Sequence, residues 1–256
     1  MNSMGFDIEC KDHLAIITLD NPPANTWTLD NLTLFKDQVS KLSDNNKITG
    51  IVIKSASQKF FSAGADLNSF NNVSAETAGA MANAFGEAFE VLTNFKGVSI
   101  AAIDGYAMGG GLEVALACDM RFVSSKAKLG LPEAKVGLLP CAGGTQNLTL
   151  LVGEGWAKRM ILCGEMIDGQ TAFNIGLAEV VTESPVEDAV ELALRTQEVS
   201  PDSLAACKQL IQMGRHCPRW ENLVKERKLF VDLFAGSNQQ EGVQSFLEKR
   251  KPEWDY

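Results

Sequence analysis

Two acidic residues lie in otherwise apolar stretches, which makes them candidates for acid–base chemistry. Glu113 comes two residues after a run of three glycines, in the first turn of a predicted helix, and Glu133 follows Pro132. Two carboxyl groups that face one small molecule can remove a proton and deliver one. A structural interpretation stays open, because a carboxylate in the first helical turn also balances the helix dipole.

The glycine run at residues 109–111 offers backbone N–H groups to a ligand. Residues 98–103 predict a buried strand and residues 112–118 predict a helix, so the glycines lie between the two. Glycine lets a ligand approach the main chain closely, and N–H groups at the start of a helix favour negative charge. Leu-Glu follows the run, in place of the Gly-Lys-Ser/Thr of a phosphate-binding loop. The pattern leaves two interpretations open, N–H groups that polarise a carbonyl oxygen and a tight strand-to-helix crossover in which the glycines serve packing.

A second loop of small residues also follows a predicted strand directly. Residues 50–54 predict a buried strand, and FFSAGADL at residues 60–67 comes soon after it. Two loops that each expose N–H groups can converge on one oxygen and form a two-donor oxyanion hole. A tight turn with Asp66 as a helix cap explains this stretch equally well.

The elements that must position these loops alternate between strands and helices. Residues 6–10 and 14–19 predict a hairpin, and Thr28 or Asp30 is expected to cap the helix that follows. A further helix is expected within residues 71–95. Further strands are expected at residues 120–123 and 178–181.

From Ser184 onward the sequence predicts helices only. Ser184 and Ser200 each precede a proline, which is typical of a helix start, and Ser237 with Gln240 forms a capping-box pattern. The last helices carry more apolar side chains than a short bundle can bury, namely Leu204, Leu210, Ile211, Leu223, Phe230, Val231, Phe234 and Phe246. We expect this surface to pack on another copy of the chain.

Composition narrows the class of protein. The 256 residues are 45% hydrophobic and 21% charged, as in ordinary globular proteins, and the net charge of −9 argues against a nucleic-acid partner. The six cysteines show no metal-ligand spacing and the two histidines are far apart, so neither a metal site nor a disulfide framework is expected. No apolar run is long enough for a membrane span, and the N-terminus lacks the apolar core of a signal peptide. We therefore expect a cytoplasmic protein without a membrane partner.

Four segments, in this order, resemble the crotonase superfamily of enoyl-CoA hydratases and isomerases. They are FSAGAD at 61–66, DGYAMGGGLEVALACD at 104–119, LPEAKVGLLPCAGGTQ at 131–146 and FLEKRKPEW at 246–254. The resemblance covers nearly the whole chain. It implies an α/β fold with a crotonase-like spiral of ββα units as the catalytic core (1–199) and a C-terminal all-helical trimerisation region (200–256). A homotrimer or homohexamer is implied as well.

The resemblance also implies roles for individual residues. The N–H groups of Ala65 and Gly110 would form the oxyanion hole for a thioester carbonyl, and Glu113 and Glu133 would be the catalytic pair. Glu133 would exchange the proton at the α-carbon, and Glu113 would position or deprotonate water. Substrate contacts are implied for Ala63, Gly64, Asp66, Leu67, Gly109, Leu131, Pro132 and Cys141. The implied substrate is an acyl-CoA, with no separate cofactor, since coenzyme A enters as part of the substrate.

The implied activity is reversible addition of water to a 2-trans-enoyl-CoA, which gives a 3-hydroxyacyl-CoA. Isomerases of the family generally lack the acid that matches Glu113, so the presence of both acids favours a hydratase. The sequence departs from the family at Cys141, where many hydratases have glycine, at Leu112 and Leu131, where Cys and Gln are commoner, and at Asn68, where some relatives have a lysine. LPEAK also resembles carnitinyl-CoA dehydratases. An isomerase, another crotonase reaction such as decarboxylation, and a catalytically silent acyl-CoA-binding subunit stay open as alternatives.

Overall fold

The computed structural model describes residues 5–256, and within them strands dominate the first part and helices the last. The strands are β1 (Phe6–Lys11), β2 (Leu14–Leu19), β3 (Thr26–Trp27), β4 (Gly50–Ser55), β5 (Phe60–Ser62), β6 (Gly64–Ala65), β7 (Val98–Ile103), β8 (Tyr106–Met108), β9 (Met120–Val123), β10 (Lys128–Gly130), β11 (Ile167–Asp168) and β12 (Val180–Val181). The helices are α1 (Leu29–Asp44), α2 (Ala75–Thr93), α3 (Gly110–Ala117), α4 (Gly144–Leu162), α5 (Gly169–Asn174), α6 (Pro185–Leu194), α7 (Pro201–Met213), α8 (Arg219–Asp232) and α9 (Ser237–Glu248).

A repeated unit of two strands and a helix builds the part of the molecule that precedes the C-terminal helices. The larger sheet has the order β1-β2-β4-β7-β9-β12, and the smaller one has the order β11-β10-β8-β5. Each of β4, β7 and β9 lies in the larger sheet, is followed by a strand of the smaller sheet, and then leads into α2, α3 or α4. In the larger sheet β2 pairs with β4, β4 with β7 and β7 with β9, all in parallel, whereas β1 and β2 form the expected antiparallel hairpin. The predicted α/β spiral of ββα units is confirmed.

Helix starts follow the local sequence in some places and not in others. Thr28, rather than Asp30, caps α1, and its side chain accepts from the N–H of Asn31. Ser200 caps α7, as expected, whereas Ser184 makes no side-chain cap. The capping box predicted at Ser237 is wrong, because α9 starts at that residue with Gly236 as its N-cap.

Helix α3 lies in the centre of the core, so its one acidic side chain, that of Glu113, is buried with it. Every residue of α3 is buried, as expected for a helix that is apolar on all sides. Around it, aromatic side chains of β3, α1 and α2 meet edge to face, among them Trp27, Phe35 and Phe89. Glu113 is thus held in the interior of the protein.

The C-terminal helices lie on the outside of the core and keep much apolar surface. Lys208 on α7 connects them to the core, with its Nζ 2.8 Å from Asp119 Oδ2 and 2.9 Å from the carbonyl oxygen of Gly97. Large apolar side chains from α7 onward remain exposed, namely Ile211, Trp220, Val224, Phe230, Val231, Phe234, Val243, Phe246 and Leu247. The division of the chain at residue 200 stays a prediction.

No helix among residues 5–256 is long and apolar enough to cross a membrane. Within the same residues, no group of three or more His, Cys, Asp or Glu side chains is placed to hold a metal ion. Residues 1–4, on which the expectation about a signal peptide rests in part, lie outside the described residues. The cytoplasmic location stays a prediction.

Candidate active site

Glu113 is held by the start of α4, a segment about 30 residues further along the chain. Its carboxyl is only 2% exposed, and Oε1 accepts hydrogen bonds from the N–H of Ala142 at 2.8 Å and of Gly144 at 3.0 Å. A Cβ atom at Gly144 would lie 2.8 Å from Oε1, so a larger residue there would displace the carboxylate. One oxygen of Glu113 is therefore fixed by the main chain.

Two effects act in opposite directions on the pKa of Glu113. Burial raises it above its usual value, and the N–H groups of Ala142, Gly144 and Cys141 offset part of that rise. Hydrogen bonds donated by main-chain N–H groups stabilise the charged form of a carboxyl group. The interpretation that Glu113 only balances its own helix dipole does not account for these contacts.

Glu133 lies at the start of a short 3-10 helix, Glu133–Val136, with both carboxyl oxygens buried and without a hydrogen-bond partner among the described residues. A Cβ atom at Gly109 would lie 3.1 Å from Oε1, so the carboxyl faces the glycine run. Burial, with a smaller contribution from the nearby charge of Glu113, raises the pKa of Glu133 to about 7. Glu133 therefore keeps its proton to a higher pH than an ordinary glutamate does.

The loop that contains Ala65 can approach the start of α3 because glycine occupies position 64. Gly64 has φ +88°, and a Cβ atom there would lie 3.0 Å from the nitrogen of Gly110 and 2.6 Å from the carbonyl oxygen of Met108. Gly110 is the first residue of α3, so its N–H has no acceptor within the helix. The N–H of Asp66 bonds to the Trp27 carbonyl across the β3–β6 pair. The preceding N–H, that of Ala65, is directed to the other side of the strand.

A cavity of about 930 Å³ is lined by Glu113, Glu133, Ala65 and Gly110 together. Ten of the predicted site residues line it, namely Ala63, Ala65, Asp66, Leu67, Gly109, Gly110, Glu113, Pro132, Glu133 and Cys141. Leu131 is not on the wall, because its side chain is fully buried in the hydrophobic core. Gly64 also lies behind the wall, where it permits the close approach of the two loops. The catalytic and binding roles of these residues stay predictions.

Sequence reasoning missed the part of the wall that comes from α2. Its periodicity correctly predicts a core face with Met81, Phe85 and Phe89, but Ala78 and Ala82 line the cavity beside that face. Two alanines one helical turn apart in the sequence could have indicated that this side of the helix borders open space. Other wall residues missed by the sequence analysis are Thr26, Phe70, Met108, Lys135, Val136, Gly137, Leu138 and Leu139.

Cys141 lies at the cavity wall next to the two acids. Burial and then the charges of Glu113 and Glu133 raise the pKa of its thiol to about 11. The side chain is therefore a neutral thiol at physiological pH and a poor nucleophile, since the thiolate is the reactive form.

The chain is similar to enoyl-CoA hydratases over nearly its whole length. A family model described as enoyl-CoA hydratase/isomerase matches residues 9–256. A probable enoyl-CoA hydratase of Bacillus subtilis is 34% identical over 99% of both chains. A 2,3-dehydroadipyl-CoA hydratase of Escherichia coli is also 34% identical, over 95% of this chain and 96% of the relative.

Solved structures show the same relationship. The structure of DspI from Pseudomonas aeruginosa is 49% identical and covers 100% of this chain and 98% of that one, with a TM-score of 0.96. The family model, the two relatives and this structure each extend over nearly the whole chain. The chain therefore belongs to the enoyl-CoA hydratase/isomerase family.

Proposed function

We propose that this protein is an enoyl-CoA hydratase, which adds water reversibly to a 2-trans-enoyl-CoA to give a 3-hydroxyacyl-CoA. The observation that carries the proposal is that two carboxyl groups, those of Glu113 and Glu133, line one cavity with the backbone at Ala65 and Gly110. Hydration needs a base for water, an acid for the α-carbon and stabilisation of the thioester oxygen. The names of the relatives support the same reaction.

The proposed reaction uses the different surroundings of the two acids. Glu113, with Oε1 fixed by main-chain N–H groups, takes a proton from water through its other oxygen as the hydroxyl adds to the β-carbon. The electron pair of the double bond moves onto the thioester oxygen, where the N–H groups of Ala65 and Gly110 stabilise the enolate. Glu133, whose pKa of about 7 lets it hold a proton, protonates the α-carbon.

The reaction balances without a cofactor. Water contributes its hydroxyl to the β-carbon and a proton to Glu113, and Glu133 gives a proton to the α-carbon. Transfer of the proton from Glu113 to Glu133 then returns both carboxyl groups to their starting states. No electron is gained or lost overall, and the N–H donors supply the polarisation of the carbonyl. Coenzyme A enters only as part of the substrate.

Crotonyl-CoA tests the proposal directly. We expect the ultraviolet absorbance of the conjugated thioester to fall on addition of enzyme, and the product to gain the mass of one water. Glu113→Gln should lower the rate by roughly 10² or more, because it removes one acid–base partner of the water. Glu9→Gln, at an exposed position in β1, is the control and should keep full activity.

Other outcomes of this assay identify the alternatives. An isomerase would leave crotonyl-CoA unchanged but would raise the absorbance of a 3-enoyl-CoA as the double bond moves into conjugation. A silent subunit would bind acyl-CoA and turn over neither substrate. A Glu113→Gln variant with a rate within a few-fold of the wild type would reject the role of Glu113 in activating water.

A homo-oligomer, as a trimer or hexamer, forms part of the same proposal. The exposed apolar side chains of α7 to α9 support it, since a monomer would leave this surface in water. Two of them, Phe230 and Phe234, lie edge to face with ring centres 5.5 Å apart and form one apolar patch.

A further inference from the structure

Helix α2 presents small side chains to the cavity in a row that begins beside the proposed oxyanion hole. A Cβ atom at Gly110 would lie 2.8 Å from Cε1 of Phe85, so Phe85 marks the end of the row nearest the hole. Ala82 and Ala78 line the cavity in the direction of the helix N-terminus. We call the part of the cavity along these three residues the α2 groove. Its path leads away from the reacting atoms.

The α2 groove has the chemistry of a hydrocarbon site. Apart from Phe85 and the alanines, the apolar wall residues of the same cavity include Phe70, Val136 and Leu139. Leu139 is 69% exposed in the free protein, so a ligand that covers it removes apolar surface from water. The amides and phosphates of coenzyme A need polar partners, whereas an alkyl chain does not. The acyl part of the substrate is therefore the part that suits the groove.

The charges of the cavity disfavour an acyl chain that ends in a carboxylate. The charged side chains that line it, among the described residues, are Asp66, Glu113, Glu133 and Lys135. The single cation, Lys135, already donates from Nζ to the carbonyl oxygen of Gly164 at 2.8 Å. A carboxylate at the end of the acyl chain would be repelled by these acidic side chains and would lose part of its hydration in the cavity. A dicarboxylic acyl group is thus disfavoured by charge.

The length of the groove sets the length of chain that it can hold. From Phe85 to Ala78 an α-helix advances roughly 10 Å, at about 1.5 Å per residue. An extended hydrocarbon with C–C bonds of about 1.5 Å advances roughly 1.25 Å per bond, so about eight carbons reach Ala78. Ala82 lies at about half that distance.

We propose that the substrate carries an unsubstituted hydrocarbon chain of medium length, and that Ala82 and Ala78 determine how long it can be. The inference rests on the hydratase function proposed above and specifies its substrate class. The alanine methyl groups leave the groove open, whereas a larger side chain at either position would close it at a defined distance from the thioester.

Wild-type enzyme tests the substrate class with three chain lengths and one charged analogue. We expect kcat/KM for 2-octenoyl-CoA to exceed that for crotonyl-CoA at least tenfold, since each buried methylene contributes about fourfold. The value for 2,3-dehydroadipyl-CoA should lie at least tenfold below that for 2-hexenoyl-CoA, which has the same number of carbons without the charge. Equal values within either pair would overturn the proposal.

Two leucine substitutions test the row of alanines. Ala82→Leu should lower kcat/KM for both 2-hexenoyl-CoA and 2-octenoyl-CoA at least tenfold relative to crotonyl-CoA. Ala78→Leu should lower only the value for 2-octenoyl-CoA relative to the other two. Ala80→Leu adds the same side chain at an exposed position of α2 and should match the wild type. A uniform loss for all substrates in Ala82→Leu, with an unchanged melting temperature, would contradict the assigned role.

Binding of saturated thioesters separates this proposal from the hydratase function. If no enoyl-CoA is hydrated, the proposed reaction is wrong, and calorimetry with butyryl-CoA and octanoyl-CoA still tests the α2 groove. At least tenfold tighter binding of octanoyl-CoA, lost in Ala82→Leu but kept in Ala80→Leu, supports the groove. Equal affinity for the two thioesters would overturn it whatever the outcome for hydration.

Discussion

Glu113 and Glu133 share a cavity but differ in what surrounds their carboxyl groups. Oε1 of Glu113 accepts two main-chain hydrogen bonds, whereas neither buried oxygen of Glu133 has a hydrogen-bond partner elsewhere in residues 5–256. Burial raises the pKa of Glu133 by more than its own backbone N–H lowers it, so this carboxyl retains its proton to a higher pH. Pairs of acids whose environments set their pKa values differently are typical of acid–base catalysis.

The raised pKa of Glu133 predicts a specific dependence of stability on pH. With a folded-state pKa of about 7 against a usual value of 4.5, the folded protein binds the proton more tightly than the unfolded chain does. The stability that results is fully present below about pH 4.5 and is lost as the pH rises through about 7. Glu133→Gln stays neutral and lacks this loss.

Thermal melting from pH 5 to pH 8 measures the effect. The melting temperature of Glu133→Gln minus that of the wild type should rise by at least about 2 °C from pH 5 to pH 8. The expected rise is small because partial exposure of Glu133 to water reduces the effect of its raised pKa on stability. Glu9→Gln, an exposed glutamate in β1, should melt in parallel with the wild type. If the Glu133→Gln curve is also parallel to the wild type, the carboxyl of Glu133 does not titrate as described.

At the scale of elements, the N-terminus of α4 acts as the support of an acid that belongs to α3. The N–H groups of Ala142 and Gly144 reach Glu113 because the chain turns at Gly143, which has φ +87°. Helix α3 contributes the side chain and α4 fixes its orientation. The catalytic geometry thus depends on how the two helices pack.

Gly144→Ala should test this support without removing an acid. The new Cβ would lie 2.8 Å from Oε1 of Glu113 and from Cβ of Pro140, so the carboxylate must move. We expect kcat with crotonyl-CoA to fall at least tenfold. Gly155→Ala lies beyond the kink at Gly153 in α4, with nothing within 4 Å of the new Cβ, so its activity should be unchanged. A Gly144→Ala enzyme within twofold of the wild type would mean that Glu113 tolerates this movement.

At the scale of the whole molecule, the catalytic half is closed around its core while the C-terminal helices are not. Every residue of α3 is buried, but α7 and α8 contain no buried residue. Exposed apolar side chains in such numbers favour association with another protein surface. Other copies of the same chain can cover these apolar side chains, so symmetric self-association is the simplest outcome.

Sedimentation at micromolar concentration should therefore show three or six copies of the chain. Phe246, in α9, is 83% exposed, so Phe246→Glu should leave the subunit folded and shift the protein to smaller species. Cys10→Glu, at an exposed position in β1, adds the same single negative charge and should leave the assembly intact. A monomer in the wild type would remove the premise.

The amino-acid sequence alone determined those features that depend on neighbours along the chain. Short apolar runs predicted β1, β2, β4, β7 and β9 close to their observed bounds, because the pattern of apolar residues along a strand is local. Thr28 and Ser200 cap their helices through contacts that span three residues. The four ordered segments sufficed for the family, which the comparisons confirm.

Tertiary structure decided which side chains face the cavity. Leu131 adjoins the cavity residue Pro132 in sequence but is buried in the core, and Ala78 and Ala82, to which the sequence analysis assigned no role, line the cavity. The N–H groups that hold Glu113 come from about 30 residues away. Local patterns specify which residues share a face of an element, whereas packing between elements separated in sequence determines what that face meets.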